Sequence, residues 1–240
     1  MECVRIEEGR ALTEVVVRPS FPPMASPLLK LHLGAFNCPQ EGWYNTDITP
    51  HIWVTMVPGL PQLLRKVGRI TQARLEEHEQ GVFKKLHYLN VTKRFRLADN
   101  SCQCVFSSHM FEHIFVWDVP LLLSEILRVL APGGVVRFVI PSLDHYVKLY
   151  DPEDPTAMLM GILEYDGTGV KNRHQWMYTE SSLCKLLEKH GFVNARACKY
   201  REGKCADLER IDNRPENSIY VEAEKAGFRP QEQAQPDSAP

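Results

Sequence analysis

Residues 28–48 contain two places where an apolar run gives way to residues suited to holding a nucleoside. Gly34 and Ala35 directly follow the apolar run 28–33, and a glycine lets a ligand approach the backbone closely. Asp47 ends a second, β-rich run and carries carboxylate oxygens that accept hydrogen bonds from ribose hydroxyls. Ile48, beside it, offers an apolar surface for a base. These residue types predict a nucleoside site.

Two later segments end in residues that complement this site. Asn90 can both donate to and accept from the edge of an adenine base, and Val91 can cover the face of that base. Ser108 and His109 follow a further apolar run. If all four segments are strands of one parallel sheet, their carboxyl ends line a single crevice, which is where ligands bind in such sheets. We therefore expect the residues named at the ends of all four segments to contact the same ligand.

The stretch His109-x-x-Glu112-His113 also matches an inverted zinc-protease motif. In that motif two histidines bind the metal and the glutamate acts as a base. The motif needs both histidines on one long helix and a further acidic ligand downstream, whereas this stretch straddles the predicted end of a strand. A zinc hydrolase is therefore a rival interpretation that we do not favour, and we expect no metal site.

The segments that position these residues alternate between strands and helices. Short apolar runs predict strands at 28–33, 43–48, 87–91, 102–107, 135–140, 195–200 and 219–223. The spacing of apolar residues predicts a helix over 119–130, and a second helix is expected over 179–190, with Thr179 as its cap and Gly191 as its terminator. This order predicts a Rossmann-like, doubly wound α/β fold with a mostly parallel seven-stranded sheet.

Two stretches interrupt the alternation and are interpreted as helical lids over the substrate pocket. Residues 51–85 have a helical apolar pattern that is broken by prolines and a glycine, and residues 142–178 are irregular and rich in aromatic side chains. The domain is expected to span 28–226. A lead-in arm at 1–27 precedes it, and a disordered tail at 227–240 follows it.

Composition restricts the classes of partner. The chain has 240 residues, 44% of them hydrophobic, which suits one large α/β domain. Its formal net charge is -2 and no block of like charge stands out, so we expect a small-molecule substrate and neither a nucleic-acid nor a membrane partner. Seven cysteines without a recognisable framework favour reduced thiols and a cytoplasmic location. The oligomeric state is left open.

The segments described above resemble type-11-like class I methyltransferases. Residues 33–34 (L-G) and 42–48 (G-W-Y-N-T-D-I) are similar to the first two strands of that family. Residues 97–101 (L-A-D-N-S) and 106–113 (F-S-S-H-M-F-E-H) resemble its pattern around strand four, and 125–134 (E-I-L-R-V-L-A-P-G-G) matches its helix and turn. The resemblance covers about 28–223 and is specific when these segments are taken together.

The resemblance implies an antiparallel last strand and S-adenosylmethionine as the cofactor. It places that cofactor at the Gly34 loop, at Asp47, and at Asn90, where relatives commonly carry Asp. Phe36 stands where the family has the second glycine of its loop. This departure keeps an alternative open, in which the chain is a catalytically inactive relative that serves as a binding or partner module.

Two histidines are the candidates for catalysis under this resemblance. Methyl transfer to a hydroxyl needs alignment and a positioned proton acceptor, a part that histidine often takes. His113 follows strand four and His174 lies in the irregular stretch over the same rim. Either can be the base, although His113 can equally pin its loop and His174 can equally be a surface residue of a lid. The expected reaction is O-methylation of a sugar or secondary-metabolite hydroxyl.

Overall fold

The computed structural model describes residues 28–163 and 173–227. The arm predicted at 1–27 and almost all of the tail predicted at 227–240 lie outside the described residues, as does part of the second insertion. The domain boundaries drawn from the sequence therefore stay predictions.

Seven strands form one sheet in the order β3-β2-β1-β4-β5-β7-β6. The strands are β1 (Leu29–Leu33), β2 (Tyr44–Asp47), β3 (His87–Tyr88), β4 (Cys102–Ser108), β5 (Leu130–Pro141), β6 (Val193–Cys198) and β7 (Ser218–Glu224). Strands β1 to β5 pair in parallel, and β7 pairs antiparallel with both β5 and β6. The mostly parallel seven-stranded α/β sheet with an antiparallel last strand is confirmed.

Three strands differ from the sequence-based prediction by two residues or more at an end. Strand β6, predicted at 195–200, spans Val193–Cys198. Strand β3 is only two residues long, because the chain turns away after Tyr88. Strand β5 begins at Leu130 rather than at Val135. The residues predicted as a closing turn lie inside that strand, where the pairing with β4 shifts register between Cys102 and Cys104. A β-bulge absorbs the Pro132-Gly133-Gly134 stretch without ending the strand.

The connection between β1 and β2 contains turns and no helix. Cys38 N donates to Ala35 O at 2.7 Å, and Trp43 N donates to Gln40 O at 3.3 Å. The buried Asn45 side chain holds these turns, since its Oδ1 accepts from Gln40 N at 2.8 Å and its Nδ2 donates to Gln40 O at 2.9 Å. A parallel crossover usually needs a helix, and here one buried amide organises a shorter path.

Eight α-helices are assigned in the described residues. They are α1 (His51–Val54), α2 (Leu60–Lys66), α3 (Gln72–Glu79), α4 (Val119–Val129), α5 (Leu143–Val147), α6 (Thr156–Leu163), α7 (Glu180–Lys189) and α8 (Leu208–Ile211). Short 3-10 helices occupy Val82–Lys85 and Phe111–His113. Helix α7 has the predicted boundaries, because Thr179 and Ser182 form a capping box and Gly191 follows with a φ of 89°. The prediction of a broken helical insertion at 51–85 is confirmed.

The two faces of the sheet are covered differently. Helices α4 and α7 bury one face, where Leu122, Ile126 and Leu187 pack against Val105 and Phe138. On the other face the side chains of Cys104, Phe106 and Val139 pack against Trp43 and the segment that contains α8. Neighbouring residues of one strand point to opposite faces, so β4 supplies both cores.

A buried charge cluster fastens the segment before β7 to the sheet. Arg137 on β5 is fully buried and donates from Nε to Asp212 Oδ1 at 2.9 Å and from Nη1 to Glu222 Oε1 at 3.0 Å. Its guanidinium also donates to the carbonyl oxygens of Lys199 and Glu202. A buried guanidinium must be paired in this way to offset its loss of hydration. One side chain of β5 therefore holds both β7 and the segment between β6 and β7.

The cysteines depart from the expectation of reduced thiols. Cys104 and Cys205, which are 101 residues apart, form a disulfide inside the second core. Cys102 is a buried free thiol. None of the helices in the described parts of the chain combines the length and the apolar character needed to cross a membrane.

Candidate cofactor and acceptor site

The loop after β1 passes directly beneath the side chain of Met110. Gly34 has a φ of 71°, and a β-carbon built on it would lie 2.6 Å from Met110 Cγ. Ala35 is almost fully buried, and its N donates to Thr46 O at 3.0 Å, which keeps the loop against β2. Only glycine fits the first position, both for its backbone conformation and for its lack of a side chain.

Asp47 joins the ends of β1 and β2 through its carboxylate. Oδ2 accepts from Phe36 N at 3.0 Å and Oδ1 accepts from Thr49 N at 2.7 Å. Burial raises the pKa of Asp47, while these backbone N–H groups oppose that rise. Each carboxylate oxygen can accept a second hydrogen bond. Asp47 can therefore hold the loop and still accept from a ribose.

The side chain of Phe36 packs into the first insertion. Its ring lies 6.2 Å from the ring of Phe83, and the guanidinium of Arg74 covers it at 4.4 Å from the ring centroid. Its backbone has a φ of 39°, in the left-handed region that glycine adopts easily. Phe36 thus has a backbone conformation that glycine adopts easily, and its ring points to the helices of 51–85.

The predicted base-binding residues lie at the next two strand ends. Leu89 N donates to Asp47 O at 3.1 Å, which brings the segment after β3 beside β2. Ile48 is 59% exposed, whereas Val91 is partly buried against the first core. Asn90 Oδ1 accepts from Thr92 N at 2.9 Å and from Thr92 Oγ1 at 2.8 Å. Its amide nitrogen is therefore the atom best placed to donate to a ligand.

Ser108 and His109 lie at the end of β4, where the chain turns sharply. Ser108 pairs with Val139 of β5, and His109 follows with a φ of 49°. The His109 ring contacts Ser218 Oγ through Nε2 at 3.0 Å, and its Nδ1 lies 3.6 Å from Glu112 Oε1. Burial, aided by the positive charge of Arg214, lowers the pKa of His109 to about 4. This ring is turned toward β7.

An open cavity of about 670 Å³ lies beyond the ends of β4 and β5 and the start of β7. Because β7 is antiparallel, its first residues lie at the same edge as the carboxyl ends of its neighbours. The cavity is lined by His109, Pro141, Tyr146, Met160, Gly161, His174, Asn213, Arg214, Pro215, Glu216 and Asn217. Its volume falls within the range of pockets that bind small molecules.

His113 and His174, the two catalytic candidates, lie side by side. Their ring centroids are 5.1 Å apart. His113 Nδ1 lies 3.4 Å from Arg173 O, and His174 Nδ1 lies 3.1 Å from Ile162 O. A carbonyl oxygen can only accept, so each Nδ1 carries the proton and each neutral ring has its lone pair on Nε2. The structure thus brings both histidines together beside the cavity.

Sequence reasoning missed two parts of this region. Residues 213–217 line the cavity but have only the proline and asparagine pattern of a turn, which indicates no function. Glu112 belongs to the quoted motif, yet its role emerges only in three dimensions. Its backbone oxygen accepts from Gln175 N at 2.7 Å and from Trp176 N at 3.2 Å, which fixes the stretch carrying His174 over the end of β4.

A comparison with curated proteins gives no significant match. Among solved structures, the chain is similar to an S-adenosylmethionine-dependent methyltransferase from Methanosarcina mazei (17% identity, TM-score 0.47, 83% of this chain and 92% of that one). It is also similar to a possible histamine N-methyltransferase from Thermotoga maritima (14%, 0.45, 84% and 84%). A third is the apo methyltransferase SibL (13%, 0.44, 83% and 50%). The chain thus spans about half the length of SibL and of a citrinin polyketide synthase CMeT domain.

The family assignment rests on a sequence match instead of on these distant structures. The family model described as a methyltransferase domain matches residues 38–197, about two thirds of the chain. This match takes in β2 to β5, both catalytic candidates and most of the predicted cofactor residues. The resemblance stated from the sequence is confirmed, with S-adenosylmethionine as the cofactor it implies. The chain belongs to the methyltransferase-domain family.

Proposed function

We propose that the protein transfers a methyl group from S-adenosylmethionine to a hydroxyl of a small molecule, such as a sugar or a secondary metabolite. The observation that carries this proposal is the pairing of His113 with His174 beside a cavity that His174 itself lines. A proton acceptor at the wall of a small-molecule pocket is what methylation of a hydroxyl requires.

The residues at the ends of β1 and β2 fit the cofactor. Gly34 leaves room for a close backbone approach, and Asp47 has acceptor capacity beyond its two backbone contacts. The Phe36 ring packs with Phe83 and Arg74 of the insertion, which supports a loop that still admits the cofactor. His109 lines the cavity, so we propose that it contacts the acceptor, in place of the cofactor contact that its strand-end position predicted.

Held by the loop at Gly34 and by Asp47, S-adenosylmethionine would supply an electrophilic methyl group to the acceptor oxygen and would leave as S-adenosylhomocysteine. His113 or His174 takes up the hydroxyl proton at Nε2, because Nδ1 of each ring faces a backbone carbonyl. The cavity aligns the acceptor, and alignment is the largest contribution a protein can make to such a displacement.

The small-molecule acceptor follows from the size of the cavity and from its polar lining. Asn213, Arg214 and Asn217 offer hydrogen-bond donors, and Tyr146 offers a ring face of the kind that packs on sugars. The absence of nucleic-acid and membrane partners stays part of the proposal and rests on the weak net charge of -2. So does a cytoplasmic location, although the Cys104–Cys205 disulfide is of a kind that a reducing cytoplasm disfavours, and cell fractionation tests the location.

The test of this function begins with calorimetry of the full chain against S-adenosylmethionine. We expect binding at micromolar to low millimolar cofactor. Failure to bind at millimolar concentration would refute the enzyme proposal and favour the inactive partner module. Acceptors are then screened among sugars and phenols by release of S-adenosylhomocysteine. His113→Ala and His174→Ala should spare cofactor binding, and the variant that removes the base should slow turnover at least about a hundredfold.

A further inference from the structure

One carboxylate and two imidazoles converge next to the cavity. Glu112, His113 and His174 each offer a ligand atom, and these atoms all lie within 4.8 Å of one another. Glu112 and His113 belong to the 3-10 helix after β4, whereas His174 comes from the far side of the second insertion. The contacts of Gln175 N and Trp176 N with Glu112 O lock the two segments together. The convergence is therefore built into the backbone.

Both imidazoles are oriented as metal ligands usually are. A histidine that binds a metal through one ring nitrogen almost always donates the other N–H to a carbonyl or a carboxylate. His113 Nδ1 faces Arg173 O at 3.4 Å and His174 Nδ1 faces Ile162 O at 3.1 Å. In the neutral form of each ring the lone pair is consequently on Nε2, the nitrogen through which the ring would coordinate.

The carboxylate of this cluster is deeply buried, since Glu112 is 1% exposed. Two neutral imidazoles and one carboxylate form a donor set that suits divalent zinc and other first-row ions. His109 contributes to the same surroundings, with Nδ1 3.6 Å from Glu112 Oε1, but its Nε2 is engaged with Ser218. The geometry thus selects a different trio from the one that the sequence motif His109-x-x-Glu112-His113 indicated.

We propose that Glu112, His113 and His174 bind a divalent metal ion of the zinc class at the wall of the acceptor cavity. Three protein ligands leave a coordination position open, and His174 borders the cavity, so an acceptor hydroxyl is placed to occupy that position. An ion there lowers the pKa of the hydroxyl, whose proton leaves to solvent. This role rests on the proposed methyl transfer to a hydroxyl. With the ion bound, activation of the hydroxyl by the metal replaces the proton transfer to His113 or His174 described for the metal-free protein.

The experiment measures metal binding by the full chain without turnover. Protein is treated with a chelator, dialysed, and titrated with zinc chloride and with cobalt chloride in a calorimeter. We expect one ion per chain. His174→Ala and Glu112→Gln should each raise the dissociation constant at least about tenfold, with circular dichroism confirming that both variants are folded.

His190→Ala is the matched control, because His190 Nδ1 also faces a backbone carbonyl, Leu186 O at 2.9 Å, at the end of α7. This variant should bind the ion as the wild type does. The cobalt spectrum should lack a thiolate charge-transfer band, which excludes binding by cysteines. No binding by the wild type, a thiolate band, or equal affinities in the ligand and control variants would overturn the proposal. Cofactor calorimetry is independent of these results, so each proposal can fail alone.

Discussion

Met110 closes over Gly34, so that a β-carbon on Gly34 would lie 2.6 Å from Met110 Cγ and 2.7 Å from Met110 Cβ. The contact joins the loop after β1 to the turn after β4. The loop after β1 carries Gly34 and Ala35, which are predicted cofactor residues. The turn after β4 leads into Glu112 and His113, two of the three residues that we propose as metal ligands. The cofactor side and the acceptor side of the site therefore meet at this one pair.

Gly34→Ala should weaken the binding of S-adenosylmethionine at least about tenfold, because the added methyl group displaces Met110 and the loop. The left-handed backbone adds a strain of about 1 kcal/mol. Calorimetry measures the affinity. Gly59→Ala is the control, since Gly59 also has a positive φ but has no atom within 4 Å of its β-position. Comparable losses of cofactor affinity in both variants would show that backbone strain is responsible and that the contact with Met110 is not.

Asp47→Asn should also weaken cofactor binding at least about tenfold, through loss of a charged acceptor and of the hold on Phe36 N. Asp154→Asn is the matched control, because Asp154 Oδ1 accepts from Thr156 N at 3.1 Å, the same two-residue turn that Asp47 makes with Thr49 N. The control should bind the cofactor normally. An unchanged affinity in Asp47→Asn would remove Asp47 from the site.

His32 should make the protein less stable as pH falls from 6.5 toward 4. Burial lowers the pKa of His32 to about 4, against 6.5 for an exposed histidine. Between these values only the unfolded chain binds the proton, so the free energy of unfolding falls by about 1.4 kcal/mol per pH unit. Urea unfolding at pH 7 and pH 5 should show about 2 kcal/mol more loss in the wild type than in His32→Gln. Equal losses would contradict the assignment.

Arg137→Met should lower the free energy of unfolding by about 3–5 kcal/mol, because it keeps most of the side-chain volume but leaves Asp212 buried without its cation and takes from buried Glu222 one of its two guanidinium partners. Urea unfolding at neutral pH gives the measurement. Arg201→Met removes the exposed ion pair with Glu209 and should cost less than about 1 kcal/mol. A similar small effect at Arg137 would mean that the cluster contributes little to stability.

Reduction of the Cys104–Cys205 disulfide should lower the melting temperature. A cross-link that closes a loop of 101 residues stabilises a chain by up to about 4 kcal/mol, chiefly by restricting its unfolded state. The Cys38→Ser variant should lose the same stability on reduction, because Cys38 is an exposed free thiol. Peptide mapping without reductant should recover Cys104 joined to Cys205, and finding both as thiols would contradict the pairing.

The sheet was predictable because its strands are short apolar runs bounded by clear breaks. Helix α7 was predictable for a similar reason, since Thr179 and Gly191 mark its ends in both the sequence and the structure. The β5 boundary was wrong because Pro132 and Gly133 favour a turn locally, whereas pairing with β4 extends the strand through them. Tertiary pairing overrode local preference there.

The site was predictable as far as position along the strands determines it. Gly34, Asp47 and Asn90 lie at strand ends because the order of the elements places them there. The direction of the His109 ring depends on Ser218, 109 residues away along the chain. The approach of His174 to His113 depends on the hydrogen bonds from Gln175 N and Trp176 N to Glu112 O, which join two distant segments. No periodicity in the sequence encodes such a contact, so it appears only in the folded chain.

The anchoring of Phe36 on Phe83 and Arg74 has a consequence for regulation. The β1 loop has no helix behind it, and beside its hydrogen bonds to Thr46 and Asp47 it is anchored by a ring held in a neighbouring segment. A local opening of 51–85 would release that ring and lower cofactor affinity while the sheet stayed intact. Opening of this insertion and binding of the cofactor are therefore coupled by thermodynamic linkage. Conversely, cofactor should slow amide hydrogen exchange in α3, so that the insertion reports on whether the methyl donor is bound.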